Sequence, residues 1–81
     1  MSQITIKLKA RTPREIRSLR ERLGLTLDDV AGTASELLGT RIDPTWLSRA
    51  ERELRPMTPE QIRAICDAIE AVVARREEQA R

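Results

Sequence analysis

A chain of 81 residues is one small domain that buries about 60–65% of its unfolded surface, too little for a large catalytic cleft. A single tryptophan with no tyrosine or phenylalanine argues against the base-stacking sheets of single-stranded nucleic-acid binders. The lack of histidine and the single cysteine remove the usual zinc centres, His-based acid–base sites and any disulfide within the chain, so neither an enzyme nor a metal or other cofactor is expected.

No apolar run approaches the roughly 20 residues of a membrane span, and the first residues lack a signal peptide's apolar stretch, so a cytoplasmic protein without membrane contact is expected. The net charge is only +2, but Lys7 to Arg22 holds seven basic and two acidic residues. That stretch is a candidate footprint for phosphates, although the same charges also suit a solvated surface.

In chain order, Ile4, Ile6 and Leu8 alternate with polar residues at the period of a strand. A lone strand leaves its backbone groups unpaired, so residues 1–11 are expected to form either a strand that pairs with a second subunit or a basic arm. Helix starts follow. Thr12-Pro13-Arg14-Glu15 and Thr58-Pro59-Glu60-Gln61 each place a capping hydroxyl, a proline at the first helical position and Glu or Gln at the third. Asp43-Pro44 repeats the cap and proline, and Thr26-Leu27-Asp28-Asp29 supplies a cap with an acidic first turn.

Helix one is expected over about 13–23, with Ile16, Leu19 and Leu23 inward and Gly24 as a left-handed exit. Helix two should run from Thr26 to near Gly39, with Leu27, Val30, Ala31, Ala34 and Leu37 or Leu38 inward. Helix four, from Pro59 to about Arg76, carries Ile62, Ile65, Cys66, Ile69, Val72 and Val73 at three- and four-residue spacing, which makes Cys66 a buried structural thiol. Residues 77–81 read as a polar tail. The fold class is therefore all-α: a compact four-helix domain with a short N-terminal strand or arm, the helical part covering 12–76.

Helix three, expected over 44–54, places Leu47, Ala50 and Leu54 on one side of a helical wheel. The opposite side shows Thr45, Arg49 and Arg52, flanked by Trp46, Ser48 and Glu53. Arginine can donate two parallel hydrogen bonds to O6 and N7 of guanine, and serine or threonine hydroxyls serve several base edges, so this face suits a major groove. Surface solubility would explain two exposed arginines equally well, and a sole tryptophan is more often packed than exposed.

The run Leu19-Arg20-Glu21-Arg22-Leu23-Gly24-Leu25-Thr26, then Val30-Ala31, Leu47-Ser48-Arg49-Ala50-Glu51-Arg52, Arg55-Pro56 and the helix from Thr58 resembles the Cro/repressor-type (Xre-like) helix-turn-helix family over roughly Arg14 to Val73. The resemblance implies a structural bridge between Arg20 and Glu51, a pairing also favoured because an unpaired charge at either inward position would carry a desolvation penalty. The family usually has glycine where Glu53 stands, so helix three is expected to continue to Leu54 or Arg55 before Pro56 ends it. The stretch from Ala31 to Ser48 is longer than the family norm, so either helix two or the turn after it is extended.

The resemblance implies a sequence-specific double-stranded DNA-binding regulator with helix 44–54 in the major groove. Base contacts would come from Thr45, Trp46, Ser48, Arg49 and Arg52, and backbone contacts from Arg14, Arg17, Thr26, Arg41 and Arg55. A homodimer on a palindromic operator is expected, joined through Ile4, Ile6 and Leu8 or through Val72 and Val73. With no effector domain or small-molecule ligand expected, repression by operator occupancy follows, as in a phage or other mobile-element regulator. The alternative is an antitoxin or adaptor that uses the same helices to hold a protein.

Overall fold

A computed structural model describes residues 10–79; the strand expected at Ile4, Ile6 and Leu8 lies outside them. Within that span the chain forms α1 (Pro13–Arg22), α2 (Leu27–Leu38), α3 (Pro44–Glu51) and α4 (Pro59–Gln79), with no strand among the described residues. No helix there is long and apolar enough to cross a membrane.

Each helix starts where a side chain satisfies amides that the helix itself leaves open. Thr12 accepts from the Glu15 amide at 3.2 Å, Thr26 from Asp29 at 3.0 Å, and Asp43 from Thr45 at 2.8 Å. At α4 the exchange is reciprocal, the Thr58 hydroxyl accepting from the Gln61 backbone amide at 3.1 Å while Gln61 Oε1 accepts from the Thr58 backbone amide at 2.9 Å.

The helix ends diverge more from expectation. Gly24 and Gly39 take φ of 69° and 68°, which their missing Cβ permits. Glu53 takes φ 63° without that freedom, and the chain closes there as it does at Gly24. The Glu53 amide donates to the Ala50 carbonyl at 3.0 Å and the Leu54 amide to Arg49 at 2.9 Å, the paired bonds of a left-handed helix exit. Helix three therefore stops at Glu51 rather than Leu54, and Leu54, expected inward, is 65% exposed because it has left the helical wheel.

The core gathers Ile16 of α1, Leu25, Val30, Ala31 and Ala34 of the α2 region, Leu47 of α3, and Ile65, Cys66, Ala68, Ile69 and Val72 of α4. Leu37 and Leu38, one of which was expected inward, are both exposed. The chain turns back at Gly39, and Ile42 packs on the core in their place. Ser35 fixes that return: its hydroxyl donates to the Ala31 carbonyl at 2.8 Å and accepts from the Ile42 amide at 2.7 Å. The extra length between Ala31 and Ser48 is thus taken up by α2 running to Leu38 and a tethered loop over 39–43.

Helix α4 runs on to Gln79, past the expected end near Arg76, and its last turns are tied to α2. Arg76 donates to Asp29 at 3.0 Å and to the Gly24 carbonyl at 3.3 Å, and Arg75 lies 3.7 Å from Glu36. The Cys66 thiol donates to the Ala10 carbonyl at 3.6 Å, and burial raises its pKa above the ordinary value, holding it as a protonated structural group. Among the described residues α3 and α4 pack on α1 and α2 rather than on each other. That arrangement leaves the outer side of α3 uncovered.

Candidate nucleic-acid interface

Helix α3 is eight residues long and would be marginal alone, so its place is set by what it buries. Leu47, Ala50 and Glu51 face inward, all 2% exposed or less. On the opposite side Thr45, Arg49 and Arg52 are exposed together, with Ser48 half-buried beside them. Arg52 is the residue at which the helix ends, and its Nε donates to the Ser48 carbonyl at 3.4 Å, so the exposed side chain is held back against the last turn of the helix. Trp46 is half-buried and packs against the core, so part of its indole serves as structure.

The anchor of this helix is ionic as well as apolar. Arg20 Nε donates to Glu51 Oε2 at 2.8 Å and Nη2 to Oε1 at 2.9 Å, a forked pair, while Nη1 donates to the Leu25 carbonyl at 2.9 Å. The side chains are 12% and 2% exposed, and the bond to Glu51 raises the Arg20 pKa further despite the opposing effect of burial. Every buried side-chain nitrogen and oxygen among the described residues has a partner. One side chain thus joins α1, the turn after it and α3.

The residues expected to hold a phosphate backbone lie around this face with different freedom. Arg14 is 82% exposed, with Glu53 3.9 Å away, and Arg17 pairs with Glu21 at 3.4 Å within α1. Arg41 in the loop before α3 and Arg55 after it are exposed. The Thr26 hydroxyl oxygen is engaged as a helix cap. Of the two carboxylates that follow it, Asp29 is met by Arg76, while Asp28 is exposed and has no ion-pair partner among the described residues.

Val72, expected both in the inward stripe of helix four and as a candidate dimer contact, is 7% exposed and belongs to the core, and Val73 packs partly against it. Their spacing on α4 continues the expected apolar stripe, which packs on α2 and α1. The Ser35 tether, the Arg76 tie and the left-handed Glu53 went unread in the sequence. Only Glu53 left a signal there, in standing where the resembling family keeps glycine.

Among the described residues no cluster of His, Cys, Asp or Glu could hold a metal ion. What the arrangement offers is a short, pinned helix with hydrogen-bond donors on its free side. A family model described as a helix-turn-helix domain matches residues 14–79, a span that takes in all of α2, α3 and α4 and nearly all of α1. Comparison with curated proteins and with solved structures found no match.

Proposed function

We propose a function from one premise: the chain belongs to the helix-turn-helix domain family, consistent with its Xre-like members. It is a cytoplasmic, sequence-specific binder of double-stranded DNA that acts as a transcriptional regulator, most simply as a repressor by occupying its operator. The observation that carries this reading is the shared exposure of Thr45, Arg49 and Arg52 on a helix whose other side is locked by Leu47, Ala50 and the Arg20–Glu51 fork.

Helix α3 lies in the major groove. Arg49 and Arg52 read guanine edges, each bidentate contact worth about 1–3 kcal/mol of discrimination, and Thr45 and Ser48 read neighbouring edges. Arg14, Arg17, Arg41 and Arg55 meet phosphates and fix register without choosing sequence. Few bases contact one such domain, so two copies bind a palindromic site with half-sites about 34 Å apart.

Selection of bound sequences from a random DNA pool tests the reading. The wild-type protein should enrich a defined motif whose affinity falls steeply with salt. Arg49→Ala and Arg52→Ala should keep their fold and lose preference at particular base positions, and Arg14→Ala should weaken all sequences alike. A pool that yields no enriched motif would reject DNA recognition and favour a protein partner for the same face.

A further inference from the structure

We propose that the notch between the starts of α2 and α3 is a thymine-reading subsite, in which the 5-methyl group of the base rests on Leu27 and Pro44. The proposal deepens the DNA-binding reading above and rests on it. The notch is open, about 450 Å³ in volume, and is lined by Leu27, Asp28, Pro44, Thr45 and Ser48. It adjoins the exposed face of α3, since Thr45 and Ser48 belong to both.

Its lining has an unusual chemistry for a surface that meets DNA. Leu27 and Pro44 are the first residues of their helices, both half-buried, and the caps Thr26 and Asp43 hold the two starts in place. Together they place an apolar floor beside a face of donors. The thymine methyl is the one apolar group that base edges present in the major groove, so an apolar floor there selects thymine. Ser48 at the same notch offers a hydroxyl to the adjacent O4, the acceptor that thymine shows next to its methyl.

Charge decides which part of the DNA enters. Asp28 lines the notch, exposed and without an ion-pair partner among the described residues, and a carboxylate there repels a phosphate. A base edge carries no such charge. Thymine itself shows no amino donor in the major groove, but the N6 amino group of its paired adenine, beside O4, can donate to the carboxylate. The notch therefore takes a base edge, and the backbone contacts fall elsewhere on the face.

The test uses the full chain and the motif enriched from the random pool. Replacing each thymine singly with deoxyuridine removes the methyl and nothing else. One position in each half-site should lose about three- to fivefold in affinity, the size expected for one buried methyl. In Leu27→Ala that position should bind thymine and deoxyuridine equally. Asp28→Asn, which leaves the floor intact, should change base preference at or beside that position, over and above the uniform gain in affinity that losing one negative charge brings. The notch has no such role if deoxyuridine is tolerated throughout, if the thymine preference survives Leu27→Ala unchanged, or if Asp28→Asn raises all affinities alike and leaves every base preference as it was. A pool without an enriched motif removes the DNA reading itself, and the notch's role with it.

Discussion

Arg20 carries more of this architecture than any other charged side chain, because three of its nitrogens each reach a different acceptor in a nearly dry environment. Removing either partner of such a pair strands the other, so Arg20→Ala and Glu51→Ala should each lower unfolding stability by about 3 kcal/mol. In a urea-denaturation double-mutant cycle the two losses should be strongly non-additive; independent effects would show that the fork does not hold α3. Glu53 makes the opposite case. A left-handed residue with a side chain costs about 1–2 kcal/mol, and its contact with Arg14 at 3.9 Å, between exposed groups, returns little. Glu53→Gly should therefore raise the melting temperature by about 4–8 °C for each kcal/mol recovered, and an unchanged or lower value would mean the contact with Arg14 offsets the backbone cost. Of these residues the sequence showed the pair through the family resemblance, backed by the desolvation penalty that an unpaired charge near either inward edge would carry. It showed the position of Glu53 but not its conformation, because a glutamate carries no local sign of left-handed backbone.

At the scale of elements, helix starts were legible, as were the two ends marked by Gly24 and Gly39, whereas the ends of α3 and α4 were not. A start is announced by a cap and a proline whose chemistry is local, as at Thr12, Asp43 and Thr58, whereas the end of α3 depends on backbone bonds that any residue can make if the fold demands it. The same limit hid the loop at 39–43. Nothing in the spacing of Ser35 and Ile42 announces that a hydroxyl on α2 will hold an amide seven residues on. Ser35→Ala leaves that amide unpaired in a part-buried place and should cost about 1–3 kcal/mol. Because the loop sets where Pro44 begins α3, the variant should also lose DNA affinity at temperatures where circular dichroism shows it still folded. Full affinity in a folded Ser35→Ala protein would show that α3 is positioned without the tether. The exposure of Leu37 and Leu38 has the same source, since helical spacing cannot foresee that Ile42 would take the inward place.

For the whole molecule, the division of labour follows from which helices touch. Helices α1 and α2 support α4, with its long apolar stripe, and separately support α3, which is eight residues long. The all-helical class and the membership of α3 in the core were legible in the sequence because Leu47 and Ala50 keep helical spacing. The place of Val72 in the apolar stripe of α4 was legible in the same way, and its burial removes it from the surface open to a second subunit.

The unequal footing of α3 and α4 also bears on how the molecule loosens. A helix held by two buried apolar side chains and one ion pair gives way before a helix that contributes six buried residues, so amide protons near Leu47 to Glu51 should exchange with heavy water well before those near Ile65 to Ile69. Uniform protection across the two would contradict this. The upper temperature at which the exposed face of α3 keeps its shape is then set by the fraying of this smallest helix, some degrees below the point where the remaining fold comes apart.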